Sequence, residues 1–306
     1  MSRRNSPSPP PAKRAKRAMD GPSNLENPNG NHNALPPLSL SILGVEPLDE
    51  FIKEIADFIH HMIMTRPNMP GQVEVEAKIG VLRDVSGSRL SLPVLVETIL
   101  VPDSIECRFE SNMSMHQHKH YNNLLNNLMN TSHQSNYPSP PLEYSHLHLI
   151  DTFYPVEGQR QKVRVTRDEQ SGKVQECMKK IRLGDLNIYS PKRAADWRVS
   201  VNLEVPVPHP VGSASLTRRK DRLSYSHEEY KIDLTQVTST TSPNAPPQVI
   251  HELEIEIARS ELLLSTAAVR GDPNVSEQER SAFDELIRAF VNNARILVRN
   301  SNDGWQ

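Results

Sequence analysis

Apolar and polar residues follow two different rhythms along the chain. Near the start of the patterned region, Leu48, Phe51, Ile52, Ile55, Phe58, Ile59 and Met62 recur at helical spacing, and Pro67 and Pro70 end the run. Near the end, Ser276 and Glu279 form a capping-box pattern ahead of a second apolar stripe of Phe283, Leu286, Ile287, Phe290, Ala294 and Leu297. Between these helices the alternation is mostly period two, with turn signals separating short runs. The pattern predicts an antiparallel sheet or barrel flanked by helices.

The polar faces of those runs carry charge. VEVEAKIG places Glu74, Glu76 and Lys78 on one face and Val73, Val75, Ala77 and Ile79 on the other. HELEIEIA does the same with Glu252, Glu254 and Glu256. Neighbours on one face of a strand lie about 7 Å apart and facing residues of paired strands about 5 Å. Acids packed this closely repel unless cations sit among them. Period-two cations are available in Lys162 and Arg164, Lys180 and Arg182, and Arg218, Lys220 and Arg222. WRVSVNLEVP adds Arg198, Ser200, Asn202 and Glu204, and YKIDLTQV adds Lys231, Asp233 and Thr235. Two architectures fit. Either every charged face looks into water, or the sheet closes into a barrel with a charged interior and apolar outer faces that meet helices.

The second arrangement has a chemistry. Hard divalent cations such as Mg²⁺ or Mn²⁺ take carboxylate oxygens, while Arg and Lys clamp phosphate oxygens. Acids and bases together predict a metal-dependent phosphohydrolase acting on a chain of phosphates, with a carboxylate orienting the attacking water. An anion-binding scaffold without catalysis gains nothing from five carboxylates in the two acidic strands.

Composition bounds the rest. The chain has 306 residues, 36% hydrophobic content, 25 prolines and a formal net charge of −2, so it is not uniformly basic. Two cysteines, Cys107 and Cys177, are too few for a disulfide framework and fit a reducing compartment. No apolar run approaches membrane-spanning length, and no signal peptide opens the chain. Residues 1–40 are Pro-rich and basic and read as a disordered tail; Lys13-Arg14-Ala15-Lys16-Arg17 is a cluster of the nuclear-import kind. Ser6 and Ser8 each precede proline. The folded catalytic domain is expected over 41–300, with a flexible His/Asn-rich insertion at 112–142, a loop at 238–248 and a short tail at 301–306. His116, His118 and His120 alternate inside that insertion, a pattern more often incidental than metal-binding; His227 and His251 read as bystanders.

In the order VEVEAKIG, VRVT, WRVSVNLEVPVP, RRKDRLSY, YKIDLT and HELEIEIA, these motifs resemble the fungal mRNA-capping RNA 5′-triphosphatases, members of the triphosphate tunnel metalloenzymes, and in particular their short fission-yeast type. The resemblance covers residues 40–300. It implies an α+β fold: an eight-stranded antiparallel barrel around a tunnel, helices outside, and a homodimer. It implies removal of the γ-phosphate from triphosphate-ended nascent pre-mRNA in the nucleus, with Mg²⁺, and nucleoside triphosphate hydrolysis with Mn²⁺ or Co²⁺. By the same resemblance Glu74, Glu76 and Glu256 match metal ligands, and Arg164, Lys180, Lys220 and Arg222 match phosphate-facing cations. Glu204 matches the glutamate that orients water; Glu252, Glu254, Arg198, Arg218, Lys231 and Asp233 match supporting positions. Lys231 departs from an expected arginine, and a lysine lacks the forked contact. No WAQKW-like segment for docking the capping guanylyltransferase is present, so recruitment through the phosphorylated tail of RNA polymerase II is the expectation. Other triphosphates, such as tripolyphosphate or thiamine triphosphate, are the rival substrates in the same fold.

Overall fold

The computed structural model describes residues 38–39, 41–44, 49–156, 158, 161–240, 246–302 and 305. The basic tail with Lys13–Arg17, and the centre of the 238–248 loop, lie outside the described residues. The chain divides into two units, Met1–Pro47 and Leu48–Gln306. In the first, residues 41–44 make a turn closed by the Gly44 N–H donating to Ser41 O at 3.0 Å.

The second unit is built on long antiparallel strands: β1 (Gln72–Arg83), β4 (Glu143–Pro155), β5 (Lys162–Asp168), β6 (Val174–Tyr189), β7 (Asp196–Pro206), β8 (Leu216–His227), β9 (Tyr230–Thr240) and β10 (Gln248–Ile257). They pair in the order β10-β9-β8-β4-β5-β6-β7-β1, and β1 pairs back onto β10, with Glu76 opposite Glu256 and Lys78 opposite Glu254. These eight strands are therefore a closed antiparallel barrel. Two short strands sit outside the ring: β2 (Thr98–Leu100) on β6 and β3 (Arg108–Glu110) on β1.

Alternation decides what lies inside. Val73, Val75, Ala77 and Ile79 of β1, Trp197, Val199, Val201 and Leu203 of β7, and Leu253, Ile255 and Ile257 of β10 are all buried, and they belong to one core with the helices. That core lies outside the barrel wall, and the charged residues of the same strands take the interior. Helix α1 (Glu50–Met64) starts at Asp49, whose carboxylate accepts from Phe51 N–H at 3.1 Å and Ile52 N–H at 3.3 Å. It buries Ile52, Ile55, Ala56, Ile59 and Ile63 and stops at Thr65, ahead of Pro67. Helix α4 (Glu277–Arg299) carries the full capping box of Ser276 and Glu279 and buries Phe283, Leu286, Ile287, Phe290, Ala294 and Leu297. Helix α3 (Ser260–Ala268) completes this layer.

Two local features depart from simple alternation. A bulge in β6 inserts Leu183, so that Arg182 faces Asn202 while Gly184 faces Val201 and Asp185 faces Ser200. At Gly184 a Cβ would stand 2.7 Å from Met62 Sδ and 3.2 Å from the Phe58 ring, so any other residue there would push these α1 side chains aside. The 112–142 insertion, expected as flexible, instead contains helix α2 (Met115–Ser132), capped by Ser114 and burying Tyr121 and Leu125. Its Tyr121 hydroxyl donates to Leu297 O at 2.8 Å, anchoring it to α4.

Candidate active site

The barrel interior is a connected lattice of acids and bases. At the β1–β10 seam, Lys78 Nζ lies 2.6 Å from Glu254 Oε2 and 3.6 Å from Glu76. On the other flank of β1, Lys180 Nζ lies 2.5 Å from Glu74 and 3.4 Å from Glu76. The Asn202 amide donates to Glu74 at 2.9 Å and to Glu76 at 3.4 Å. Arg222 reaches Asp233 at 2.6 Å and Glu254 at 3.2 Å, and its Nε donates to the Thr235 hydroxyl at 3.1 Å. Lys231 bridges Glu256 at 3.2 Å and Asp233 at 3.4 Å. Arg164 pairs with Glu204 at 3.2 Å and Glu176 at 3.1 Å.

Burial and neighbouring charge set the proton affinities. Burial pushes the Glu256 carboxyl up to about 7; Lys231 opposes the rise, and Asp233, Glu254 and Glu74 add to it. Glu76 is raised too, by burial first, with Glu74 and Glu254 adding and Lys78 and Lys180 opposing. Glu254 goes the other way. Burial opposes its ionisation, yet Lys78 and Arg222 together hold it well below the ordinary carboxylate range. Burial, with Arg222 and Arg164 nearby, lowers Lys220 although Asp151 partly restores it.

Three buried polar atoms on this wall have no protein partner: Asn202 Oδ1, Arg164 Nε and Arg218 Nε. An acceptor and two cationic donors left in this state carry a desolvation cost that a charged occupant of the lumen relieves. The donor set is all oxygen on the acidic side and all Lys and Arg on the basic side, which suits a hard divalent ion with a phosphate chain.

Most expected residues fall in this lattice: Glu74, Glu76, Glu254, Glu256, Glu204, Arg164, Lys180, Lys220, Arg222, Lys231 and Asp233. Others sit apart. Arg198 pairs with Asp185 at 3.5 Å and Asn187 at 2.7 Å and stacks over Phe109 at 4.8 Å, away from the β1 and β10 acids. Glu252 is held by the Ser111 hydroxyl at 2.8 Å; Arg218, by contrast, shares the inner face of β8 with Lys220 and Arg222 opposite Asp151, with its guanidinium over the Phe153 ring at 5.4 Å. Lys78 is a bracing residue of the lumen; Arg182, opposite Asn202 and with its side chain 55% exposed, pairs with Asp185 at 2.9 Å.

Sequence reading missed Asp151. It is fully buried on β4, 2.5 Å from Lys220 Nζ, and accepts from the Thr166 hydroxyl at 2.7 Å. It also missed Asp185 and Asn187, which the β6 bulge turns inward.

A family model described as mRNA capping enzyme, beta chain, matches residues 45–303. The chain belongs to that family. Among its relatives, the mRNA-capping enzyme subunit beta of Schizosaccharomyces pombe is 36% identical over 271 residues, covering 87% of this chain and 86% of the relative. The Polynucleotide 5′-triphosphatase CTL1 of Saccharomyces cerevisiae is 30% identical over 135 residues, 40% of this chain and 37% of its own length. The solved structure of S. pombe Pct1 RNA triphosphatase in complex with the Spt5 CTD superposes with a TM-score of 0.78 at 34% identity, covering 87% of this chain and 100% of that one. The chain therefore shares the closed-barrel tunnel architecture of that RNA triphosphatase.

Proposed function

We infer that the chain hydrolyses the γ-phosphate of a 5′-triphosphate RNA end, leaving a diphosphate end for capping, inside the barrel. The observation that carries this reading is the enclosed lattice of carboxylates and cations with its partnerless Asn202 Oδ1, Arg164 Nε and Arg218 Nε. Glu74, Glu76 and Glu256 are the residues that would hold a divalent ion, Mg²⁺ for RNA and Mn²⁺ or Co²⁺ for nucleoside triphosphates. Such an ion supplies Lewis-acid charge neutralisation of the phosphate chain.

Arg164, Lys180, Lys220 and Arg222 bind phosphate oxygens and fix the chain in line. Lys180 pairs with Glu74 and Glu76, and it exchanges these carboxylates for phosphate oxygens when substrate binds. Asp151 and Thr166 hold Lys220 in place, and Asp233 and Thr235 hold Arg222. Glu204 orients the attacking water and takes its proton as the P–O bond to the leaving diphosphate end breaks. Lys231 braces Asp233 and Glu256 as a point charge, a role that needs no fork.

We also propose a nuclear setting and a homodimer, and work beside a capping guanylyltransferase, which the relatives named mRNA-capping enzyme subunit beta support. The S. pombe Pct1 RNA triphosphatase in complex with the Spt5 CTD supports a CTD interaction for this chain too, and the phosphorylated tail of RNA polymerase II remains the expected recruiting partner. The deciding experiment measures phosphate release from triphosphate-ended RNA and from tripolyphosphate, with and without Mg²⁺. Metal-dependent release, selective for RNA and abolished in folded Glu74→Ala and Glu256→Ala chains, is expected. Undiminished release by both variants removes the ligand assignment, and preference for tripolyphosphate removes the RNA assignment.

A further inference from the structure

The outer face of the barrel carries a second group of ligand-type side chains, unrelated to the lumen. His146 and His148 stand two apart on β4 and so point to the same, outer side of the wall. Asp221, opposite His148 on β8, faces them. Residues two apart on a strand are about 7 Å from each other along the backbone, yet the two imidazole ring centroids are 4.4 Å apart. Both rings lean toward one carboxylate: His146 Nε2 is 2.5 Å and His148 Nδ1 4.0 Å from Asp221 Oδ1. The donor atoms of the three residues all lie within 4.8 Å of one another; among the described residues this is the one His, Cys, Asp and Glu group of three or more that close.

We propose that His146, His148 and Asp221 form a binding site for a single imidazole-preferring divalent ion of the Zn²⁺ class on the outer wall of the barrel. Two imidazoles and one carboxylate are a borderline-soft donor set, which favours Zn²⁺, Co²⁺ or Ni²⁺ over the oxygen-seeking Mg²⁺. The side chains remain 42%, 38% and 50% exposed, so water has access to complete a four-coordinate shell. The backbone beneath is fixed. His148 O accepts from the Glu169 N–H at 2.9 Å, and β4 and β8 are paired from Glu143–Ser226 to Phe153–Leu216. An ion here ties together the two strands whose inner faces carry Asp151, Lys220 and Arg222. It therefore acts as an external clamp on the wall that holds part of the phosphate clamp.

The test uses the untagged chain in excess Mg²⁺, which loads the lumen acids. Co²⁺ and Zn²⁺ are titrated into wild type, His146→Ala/His148→Ala, Asp221→Asn and, as a lumen control, Glu76→Gln. The expected result is one Co²⁺ per chain with the visible absorption of a low-coordinate nitrogen- and oxygen-ligated ion, displaced by Zn²⁺ and retained in Glu76→Gln. Asp221→Asn should weaken binding at least tenfold, and the double histidine variant should abolish it while keeping its Mg²⁺-supported activity. Zn²⁺ should raise the melting temperature of wild type and leave that of the double variant unmoved. The same cobalt spectrum in the double variant, its loss in Glu76→Gln, or no binding in excess Mg²⁺ overturns the proposal.

Discussion

Lys78 and Glu254 join the first and last strands of the barrel through their side chains as well as their backbones: they are register partners, and their charged ends meet at 2.6 Å. Lys78 also faces Glu76, so one cation serves two buried acids at the closure point. Lys78→Ala should destabilise the chain by about 3 kcal/mol, because it takes a shared cation from two buried carboxylates and leaves Glu254 to Arg222 and Glu76 to Lys180. Pairing it with Glu254→Ala should recover part of that loss. Urea unfolding of the single and double variants measures both, and full additivity would argue against the coupling.

Glu204 and Arg164 lie side by side, 3.2 Å apart, with opposite tasks. Glu204→Gln should leave binding of triphosphate-ended RNA within a few fold while turnover falls by about 10²–10⁴. Arg164→Ala should damage both binding and turnover. Single-turnover kinetics with a direct binding assay separate the two, and equal effects from both substitutions would speak against distinct roles.

His118 on α2 packs edge-on to His251 at 4.8 Å, and its Nδ1 is buried without a partner. Burial first, and then His251, lower its pKa to about 4, with Asp221 opposing weakly. The unfolded chain holds this imidazole at its ordinary value near 6.5. Between those two values the unfolded state binds more protons than the folded one, so stability is complete above pH 6.5 and declines as pH falls toward 4. His251, also lowered by burial, acts in the same direction. The loss assigned to His118 is about 1 kcal/mol after allowing for its partial exposure. In chelator-treated protein, His118→Gln should flatten the melting temperature over this window; an unchanged slope would assign the effect elsewhere.

The Ser276 and Glu279 capping box starts the helix that covers the β1–β10 seam from outside. Ser276→Ala should cost about 1 kcal/mol and lower the melting temperature by about 2–4 °C, with activity at 25 °C unaffected. Calorimetry reads the first effect, and a larger loss would mean that α4 contributes to more than the outer core.

How far the chain could be read depended on whether each strand keeps its two faces chemically distinct. Over residues 73–79, 197–205, 231–235 and 252–257, the strands β1, β7, β9 and β10 alternate polar and apolar residues without interruption, and their lumen positions follow from counting by twos. β4 hides its contribution: Leu147, Leu149 and Phe153 share the inner face with Asp151, so no charged stripe marks that aspartate. In β6 the count from Lys180 and Arg182 lands on Gly184, and only the bulge reveals that Asp185 takes the inner place. Helix α2 is weakly amphipathic and rich in Asn and His, so its polar composition outweighed the helical spacing of Tyr121, Leu124 and Leu125. The outer histidines escaped notice because their partner lies on a strand 75 positions later.

A wall whose strands are hydrogen-bonded all the way round cannot part sideways without breaking a ladder. Whatever enters must be reeled in lengthwise from one opening, and a phosphodiester in the middle of a polymer has no route to Arg222 or Glu204. A closed wall of this kind suits the reading of a phosphate-bearing terminus rather than the middle of a strand.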